Sequence, residues 1–344
     1  MSWSRGALIA GSVLVAIALT ALAIAFSTIG QRLTGATAAD VPPGTSAGPA
    51  GSATPTARPP VSASPLASTS PTRRSTSAAP RGGKPGPNNT GVPAAVKLRV
   101  VNGDQVFTKA NQVISGLDIH GYVRIRANGV ILKNSIVRGG APRCNAAVIF
   151  VERGFRATIQ DTEVNPSQPN ACLDGIWAEG STLLRLDIQR VVDGVKAFDG
   201  VTLRDSYIHN LSRFASDPNQ GGGSTHNDAV QTYEGNQNIW IVHNNLALTS
   251  QDNAAYQVTQ DGGEVAKGLH IIDNWLDGGG CTLNFSHKGG PAMSGIEVVN
   301  NRFGRNRAFA NCAILISTKT TLSKNSGNVF ADTGKPIPRP DQHD

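Results

Sequence analysis

The chain has 344 residues, few charged or aromatic residues, and a formal net charge of +7. The positive charge comes from the first 95 residues, which contain seven basic residues and a single acidic one, Asp40. The remainder has 24 basic and 23 acidic residues and is therefore nearly neutral. Because a nucleic-acid-binding domain usually concentrates basic residues on its own surface, we exclude nucleic acid as a partner.

The N-terminal region begins with an apolar segment, Ala7 to Gly30, that contains no charged residue and is long enough to cross a bilayer. Arg5 and the amino terminus precede it, which favours a cytoplasmic start and an exported remainder. Residues 36–38 (Ala-Thr-Ala) resemble a signal-peptidase site, but the apolar run exceeds the usual length of a signal peptide. We predict that residues 1–35 form a transmembrane anchor, with a cleaved signal peptide as the alternative. The protein is then either a cell-membrane protein with an extracellular domain or a secreted one.

Residues 36–95 consist mainly of Ala, Ser, Thr, Pro and Gly and contain no aromatic residue. Such a segment cannot bury enough apolar area to offset the entropy lost on ordering. We predict a disordered linker that holds the domain formed by residues 96–344 away from the membrane.

An internal repeat runs through residues 96–344. Its copies alternate apolar and polar residues, continue with Asp or Asn, and close on an apolar residue: VILKNSIV (130–137), ATIQDTEV (157–164), VTLRDSYI (201–208), LHIIDNWL (269–276) and IEVVNNRF (296–303). Val137 and Val164 are 27 residues apart, as are Leu276 and Phe303. This spacing indicates one turn of a β-solenoid. His243 falls in the Asp/Asn column, and we expect it to be a member of a polar turn ladder.

A second column of strands lies within each turn: AAVIFV (146–151), DGIWAE (174–179), DGVKAF (193–198), DAVQTY (228–233), TLNFSH (282–287) and AILIST (313–318). Strand alternation places Ile176, Val195, Val230 and Leu283 inside and Trp177, Lys196, Gln231 and Asn284 outside. The sequence lacks the Asn-Gly and Asp-Gly hairpin turns, at the right spacing, that an antiparallel sandwich requires. The predicted fold class is therefore all-β, a right-handed parallel β-helix.

The four cysteines support this register independently. Cys144 and Cys172 each lie four residues before an inward position, and Cys281 and Cys312 each lie two residues before one. Neighbouring strands are about 4.8 Å apart, close to the Cα separation of a disulfide. We predict the bridges Cys144–Cys172 and Cys281–Cys312, and with them an oxidising compartment.

The candidate site lies on the outer face of the second column. Ile208 and Leu246 are 38 residues apart, so this turn carries an insertion, residues 212–228, that ends at His226 and Asp228. Long loops in compact folds are often functional. Three columns of residues align on successive strands: Asp174, Asp193 and Asp228 at the strand entrance, then Trp177, Lys196 and Gln231 on the outer face, then Glu179, Phe198 and Tyr233. His226 and His209 border this patch. Rings and polar groups in this arrangement suit a sugar.

At these residues the chain resembles the secreted bacterial β-helix proteins of the pectate-lyase-like superfamily. The resemblance covers about residues 100–330, through GLDIHG (116–121), VILKNSIV (130–137), DGVKAF (193–198), VTLRDSYIH (201–209) and HNDAVQ (226–231), with Ala229 where the family usually has Gly. It implies a polysaccharide or cell-wall glycan as partner. The functional candidates that it implies are Asp193, Lys196, His226, Asp228 and Gln231.

Two reactions compete at this site. For β-elimination from a uronate, Lys196 or His226 is the candidate base, and Asp174, Asp193 and Asp228 are candidate ligands for Ca²⁺. For glycoside hydrolysis the same aspartates are the candidate acid and base or nucleophile. We expect a monomeric polysaccharide lyase. The alternatives are a hydrolase or epimerase on the same fold, a glycan-binding module, a structural spacer, and, for Asp174 and Asp193 alone, a purely structural role in the turn.

Overall fold

The repeat folds into a coil of short parallel strands. A computed structural model describes residues 83–260, 264–287 and 290–343, so the predicted anchor (residues 1–35) and most of the predicted linker lie outside the described residues. Each turn contributes up to three strands, which stack on the equivalent strands of the next turn to give three parallel sheets. The protein is therefore an all-β parallel β-helix.

The strands are named here by sheet. Sheet A contains Arg99–Asn102, Leu117–His120, Ile136–Val137, Glu163–Val164, Asp187–Ile188, Tyr207–His209, Asn245–Ala247, Trp275–Asp277, Arg302–Phe303 and Val329–Phe330. Sheet B contains Gln105–Phe107, Val123–Ile125, Ala146–Val151, Leu173–Ala178, Val195–Ala197, Asp228–Tyr233, Ala254–Thr259, Leu283–Phe285, Ile314–Ile316 and Asp341–Gln342. Sheet C contains Val113–Ser115, Val130–Lys133, Ala157–Gln160, Thr182–Leu184, Thr202–Arg204, Gln237–Val242, Lys267–Ile272, Ser294–Val299 and Lys324–Ser326. A short 3-10 helix, Pro218–Gln220, lies in the insertion.

The predicted first column is two strands rather than one. Each copy of the repeat bends at its Asp or Asn, where the backbone adopts a positive φ: 49° at Asn134, 52° at Asp205 and 57° at Asp273. Asn and Asp tolerate this left-handed conformation better than other side chains. The bend separates a strand of sheet C from a strand of sheet A, so each turn has three strands where the sequence predicted two. His243 takes the same place in the turn, with φ 54°, which confirms the predicted turn ladder.

The residue after the bend points inward and builds a buried asparagine ladder of Asn244, Asn274, Asn301 and Asn328. The Oδ1 of Asn274 accepts hydrogen bonds from the backbone N (2.8 Å) and the Nδ2 (3.0 Å) of Asn244. Asn301 receives the same pair from Asn274, and Asn328 from Asn301. Each Nδ2 group also donates to a backbone carbonyl of sheet C. The ladder satisfies polar groups that the bend leaves inside the coil.

Most of the remaining interior is apolar and follows the predicted alternation. Ile176, Val195, Val230 and Leu283 are fully buried, and their neighbours Trp177, Lys196, Gln231 and Asn284 are partly exposed. The pairings Val137 with Val164, Leu276 with Phe303 and Ile208 with Leu246 confirm the repeat intervals. The buried side chains of successive turns form one continuous core.

Both predicted disulfides are confirmed. Cys144 pairs with Cys172 and Cys281 with Cys312, with Cα separations of 4.4 and 4.9 Å, and among the described residues no cysteine is free. Each bridge joins neighbouring turns of the coil. Disulfides persist in oxidising compartments, which supports an extracellular or secreted location.

Described residues before residue 96, the predicted start of the domain, also contact the coil. Residues 84–93 lie against sheet A: the side chain of Asn245 donates to the carbonyl of Pro85 at 2.9 Å, and the N–H of Gly91 donates to Arg185. Thr90 is buried. Within residues 83–260, 264–287 and 290–343, no helix is long and apolar enough to span a membrane.

The buried asparagine ladder generates a stability prediction. We expect Asn274→Ala to lower the free energy of unfolding by about 3 kcal/mol or more, since it leaves two donors of Asn244 without a partner inside the coil and removes the bonds of Asn274 to the carbonyls of Ile241 and Ile272. Chemical denaturation of the full chain measures the change. The matched control is Asn165→Ala, which removes one hydrogen bond to Glu163 from a half-buried side chain and should cost less than about 1 kcal/mol. Equal losses for the two variants would contradict a special role for the ladder.

Candidate functional site

The candidate site is the outer face of sheet B, where stacking aligns side chains from successive turns. Trp177 pairs with Lys196, Lys196 with Gln231, and Gln231 with Gln257. All four are partly exposed. The register therefore gives one outward column of an indole ring, an ammonium group and two amides.

A second outward column lies two residues further along the strands. The rings of Phe198 and Tyr233 stack with their centroids 6.2 Å apart, and Glu179 is half-buried on the preceding turn. The hydroxyl of Tyr233 donates to Oε1 of Gln231 at 3.0 Å, which joins the two columns. Aromatic faces beside amide groups are a common lining for sugar sites.

Three aspartates form a buried ladder at the entrance of these strands. Asp193 N–H contacts Oδ1 of Asp174 at 3.4 Å, and Asp228 N–H donates to Oδ1 of Asp193 at 2.9 Å. Asn253 caps the ladder, because its Nδ2 donates to Oδ1 of Asp228 at 2.9 Å. Asp174, Asp193 and Asp228 are 4%, 4% and 0% exposed, so the carboxyl groups lie beneath the surface rather than on it. The other carboxyl oxygen of Asp228, Oδ2, is buried with no hydrogen-bond partner.

Lys196 lies over the aspartate ladder and carries its positive charge toward the outer face. Its Nζ is 2.7 Å from Oδ2 of Asp174 and 3.5 Å from Oδ2 of Asp193, while 17% of the side chain stays exposed. The ammonium is also 5.5 Å from the ring centroid of Trp177 and 5.8 Å from that of Tyr233. The indole Nε1 of Trp177 donates to the same Asp174 oxygen at 2.7 Å. Two acids and two rings therefore fix one cation in place.

Burial controls the protonation of this cluster. Burial, together with the charge of Asp174, raises the pKa of Asp193 to about 7. Burial also raises the pKa of Asp174 and, with the charge of Asp193, raises the pKa of Asp228 well above its usual range. Burial alone would lower the pKa of Lys196, but the charges of Asp174 and Asp193 outweigh it and raise that pKa above its ordinary value. Lys196 is therefore a cation at neutral pH, and Asp193 exchanges its proton near neutrality.

The inserted loop ends with His226, two residues before the entrance of the strand Asp228–Tyr233. The N–H of Thr225 donates to the carbonyl of Phe214, and the N–H of Phe214 donates to Oγ1 of Thr225. The buried side chain of Asn227 donates to the carbonyls of Ser212 and Val192. These bonds close the loop directly before Asp228. His226 lies between buried Thr225 and buried Asn227, and its own side chain is exposed.

His209 does not join the other predicted site residues. It belongs to the strand Tyr207–His209 of sheet A, where its Nε2 lies 2.9 Å from Oδ1 of Asp187 and its ring stacks on Tyr207 at 3.9 Å. The loop after His209 leads to sheet B, so proximity in sequence suggested the border position. The structure places His209 on a different face of the coil.

The aspartates suit an ammonium better than the predicted Ca²⁺. Calcium requires six to eight oxygen ligands, whereas the Nζ of Lys196 already lies against two of the three carboxyl groups. In residues 83–260, 264–287 and 290–343, no group of three or more His, Cys, Asp or Glu side chains forms a metal-binding arrangement. We therefore derive no step that depends on calcium.

Sequence reasoning missed one strand of the site, Ala254–Thr259. This strand brings Gln257 into the outward column and places Asn253 on Asp228. Its signal was the pattern AAYQVT, which shares with DAVQTY the Ala at the second and the Gln at the fourth position but has Ala254 in place of the entrance aspartate. The entrance aspartate identifies the other copies of the strand. Because this strand has no aspartate there, the sequence pattern does not identify it as a further copy.

The chain matches no protein-family model, no curated protein and no solved structure, so no known protein supports or contradicts a function for this site. The family assignment implied by the resemblance therefore stays a prediction.

The raised pKa of Asp193 generates a pH prediction. In the unfolded chain this carboxyl ionises near pH 4, and in the folded protein near pH 7, so folding favours its protonated form. The stability that it contributes is present below about pH 4 and is lost as the pH rises toward 7, at on the order of 1 kcal/mol per pH unit.

Denaturation of the full chain at pH 4 to 8 tests this. Asp193→Asn should reduce the loss of stability across the window, since the amide oxygen still accepts from Asp228 N–H but carries no charge. The control Asp332→Asn should keep the loss, because the hydrogen bond from Arg305 lowers the pKa of Asp332 and so moves it out of the window. An unchanged pH dependence in Asp193→Asn would show that this carboxyl is not the source.

Proposed function

We propose that the protein is an extracellular polysaccharide lyase that acts on a uronate-containing glycan lying along the outer face of sheet B. The observation that carries the proposal is the ammonium of Lys196, which is held over Asp174 and Asp193 between the rings of Trp177 and Tyr233 on a partly exposed side chain. A fixed cation among aromatic rings and amides suits a sugar that carries a carboxylate.

The proposed reaction is β-elimination. A base removes the proton next to the carboxylate, the electron pair of that C–H bond forms a C=C bond, and the bond to the glycosidic oxygen breaks. The leaving oxygen then takes up a proton, so atoms and electrons balance. Negative charge develops beside the carboxylate during proton removal, and a cation placed there lowers the barrier.

The described residues support a division of roles. The ion pairs keep Lys196 protonated, which assigns it to charge neutralisation and leaves exposed His226 as the base. Burial raises the pKa of Tyr233, so its hydroxyl stays protonated and suits the donor to the leaving oxygen. Trp177 and Phe198 offer rings to the sugar faces, while Gln231 and Gln257 offer amides to its hydroxyl groups.

Two broader features belong to the same proposal. We take the coil to be right-handed, as crossovers between parallel strands almost always are, and to be related to the pectate-lyase-like superfamily through the segments that resemble it. We also propose that residues 1–35 anchor a monomeric protein to the membrane and that the linker displays the coil outside the cell. The two disulfides support the extracellular location.

Glycoside hydrolysis is the second candidate, and one observation favours it. A carboxyl group with a pKa of about 7, such as Asp193, suits a general acid at neutral pH. Adjacent turns are about 4.8 Å apart, so the aspartate ladder offers pairs of carboxyl groups near the spacing of retaining hydrolases and, across two turns, of inverting ones. Hydrolysis requires substrate to reach these buried carboxyl groups, which elimination does not.

The function is tested with the full chain, purified in detergent because residues 7–30 are apolar, against a panel of uronate polysaccharides and neutral ones, with and without Ca²⁺. Absorbance of the new C=C bond and release of reducing ends are measured together. We expect both signals with uronates, and a loss of at least a hundredfold in His226→Ala, since general base catalysis contributes about that much or more.

Lys196→Met should abolish the absorbance too, but it also leaves two buried acids unpaired and costs stability. Arg138→Met is its matched control, since it breaks the ion pair of Arg138 with Asp118 on sheet A and should keep full activity. Reducing ends without absorbance would replace the lyase with the hydrolase. Binding to a glycan without either signal would reduce the protein to a glycan-binding module.

A further inference from the structure

A separate cleft of about 390 Å³ opens on the outer face of sheet B, on the turns that precede the candidate site. Arg124, Phe150 and Trp177 occupy equivalent outward positions on three consecutive strands. Phe150 and Trp177 meet edge to face with their centroids 5.6 Å apart. Ala146 and Ala147 also line the cleft, and their small side chains leave its volume open.

Two guanidinium groups line this cleft, each fixed by an acid and an aromatic ring. Arg143 lies 4.4 Å from the ring centroid of Tyr122 and contacts Asp104 at 2.7 Å. Arg124 lies 5.5 Å from the ring of Phe150 and contacts Glu152 at 3.2 Å. About half of each arginine side chain stays exposed. An arginine has five N–H donors, so these contacts orient the two groups and still leave donors facing the cleft.

The surrounding charge favours an anionic ligand. Arg126 also pairs with Glu152, at 2.6 Å, so three arginines (124, 126 and 143) are balanced by two acids (104 and 152), a net charge of +1. The loop that carries Arg143 is tied to the next turn by the Cys144–Cys172 bridge. The bridge restrains the backbone of this loop, and the contacts with Asp104 and Tyr122 orient the guanidinium of Arg143 before any ligand binds, which lowers the entropic cost of binding.

We propose that this cleft binds an acidic sugar unit, with Arg124 and Arg143 holding its carboxylate and Phe150 and Trp177 packing on its ring. Guanidinium groups bind carboxylates through paired, charge-assisted hydrogen bonds. Trp177 is shared with the candidate site, where its Nε1 donates to Asp174. A glycan bound in the cleft would therefore extend past Trp177 to Lys196. Binding at both places would fix the direction in which the glycan crosses the turns. This proposal rests on the proposed function in taking the ligand to be the same uronate glycan.

Binding of three oligosaccharides to the full chain tests the proposal by calorimetry. The first is tetragalacturonate, the second is its carboxyl-reduced, neutral counterpart, and the third is a dextran sulfate of the same length. We expect tetragalacturonate to bind at least tenfold more tightly than the neutral form. Arg143→Gln and Arg124→Gln should each weaken binding of the acid about tenfold, as the loss of a charge-assisted hydrogen bond does, and leave the neutral sugar unaffected.

The matched control is Arg138→Gln, since Arg138 directly follows the sheet A strand Ile136–Val137 and also pairs with an acid, Asp118. Equal affinity for the acidic and neutral sugars, unchanged affinity in both cleft variants, or an equal loss in the control would overturn the proposal. So would binding of the dextran sulfate alone, which would replace the carboxylate by a sulfate. Thermal unfolding confirms that each variant is folded, and the two cleft variants test the site independently.

The outcome is separable from that of the proposed function. If the cleft variants lose binding of tetragalacturonate while no variant or wild-type chain turns it over, the cleft stands and the lyase fails. If wild-type turnover is lost in His226→Ala but is unchanged in Arg143→Gln and Arg124→Gln, at substrate concentrations below saturation, the lyase stands and the cleft fails.

Discussion

Hydrogen bonding between successive turns is the constraint on which the rest of the molecule depends. The parallel pairing of strands fixes which residue lies above which, and the left-handed bend between sheets C and A repeats this register on every turn. The buried asparagine ladder strengthens it, since each Asn residue bonds both the backbone and the side chain of its neighbour. A shift of one residue would reverse the inside and outside of a strand and would break the ladder at the same time. The columns on the outer face are a consequence of this register.

Much of this arrangement follows from the sequence, because the repeat, the cysteine positions and strand alternation are properties of neighbouring residues. The three-sheet cross-section does not, because the bend at Asn134 and its equivalents is visible only as a polar residue in an otherwise strand-like pattern. The outward columns of the candidate site follow from the register. The burial of Asp174, Asp193 and Asp228 does not, since it depends on the covering side chains. The position of His209 on sheet A could not be predicted for a similar reason. The sequence does not show at which residue one sheet ends and the next begins.

The stacking of turns places three buried aspartates close together, and Lys196 is the cation that reduces the repulsion between them. Identical residues on successive turns lie about 4.8 Å apart, so a column of three buried acids repels itself and its members keep their protons to raised pH. Lys196 offsets part of this repulsion by contacting two of them. Apolar residues of similar volume would serve stability alone equally well or better. The contribution of this cluster to folding therefore explains it less well than its arrangement does. It presents one fixed cation, Lys196, to the outer face above three carboxyl groups with raised pKa values.

The shared indole of Trp177 connects this cation to the arginine-lined cleft. On one side its Nε1 holds Asp174, and through that carboxylate it positions Lys196. On the other side its ring meets Phe150, an aromatic residue that lines the cleft. Because the coil stacks its turns in a line, a linear polymer bound at both places must cross the strands in register with the turns. In the proposed binding mode, a repeating ligand would therefore meet unlike groups on successive turns: guanidinium groups first, then aromatic rings, then the ammonium and the amides. That order along the solenoid axis would make the two ends of the polymer different to the protein.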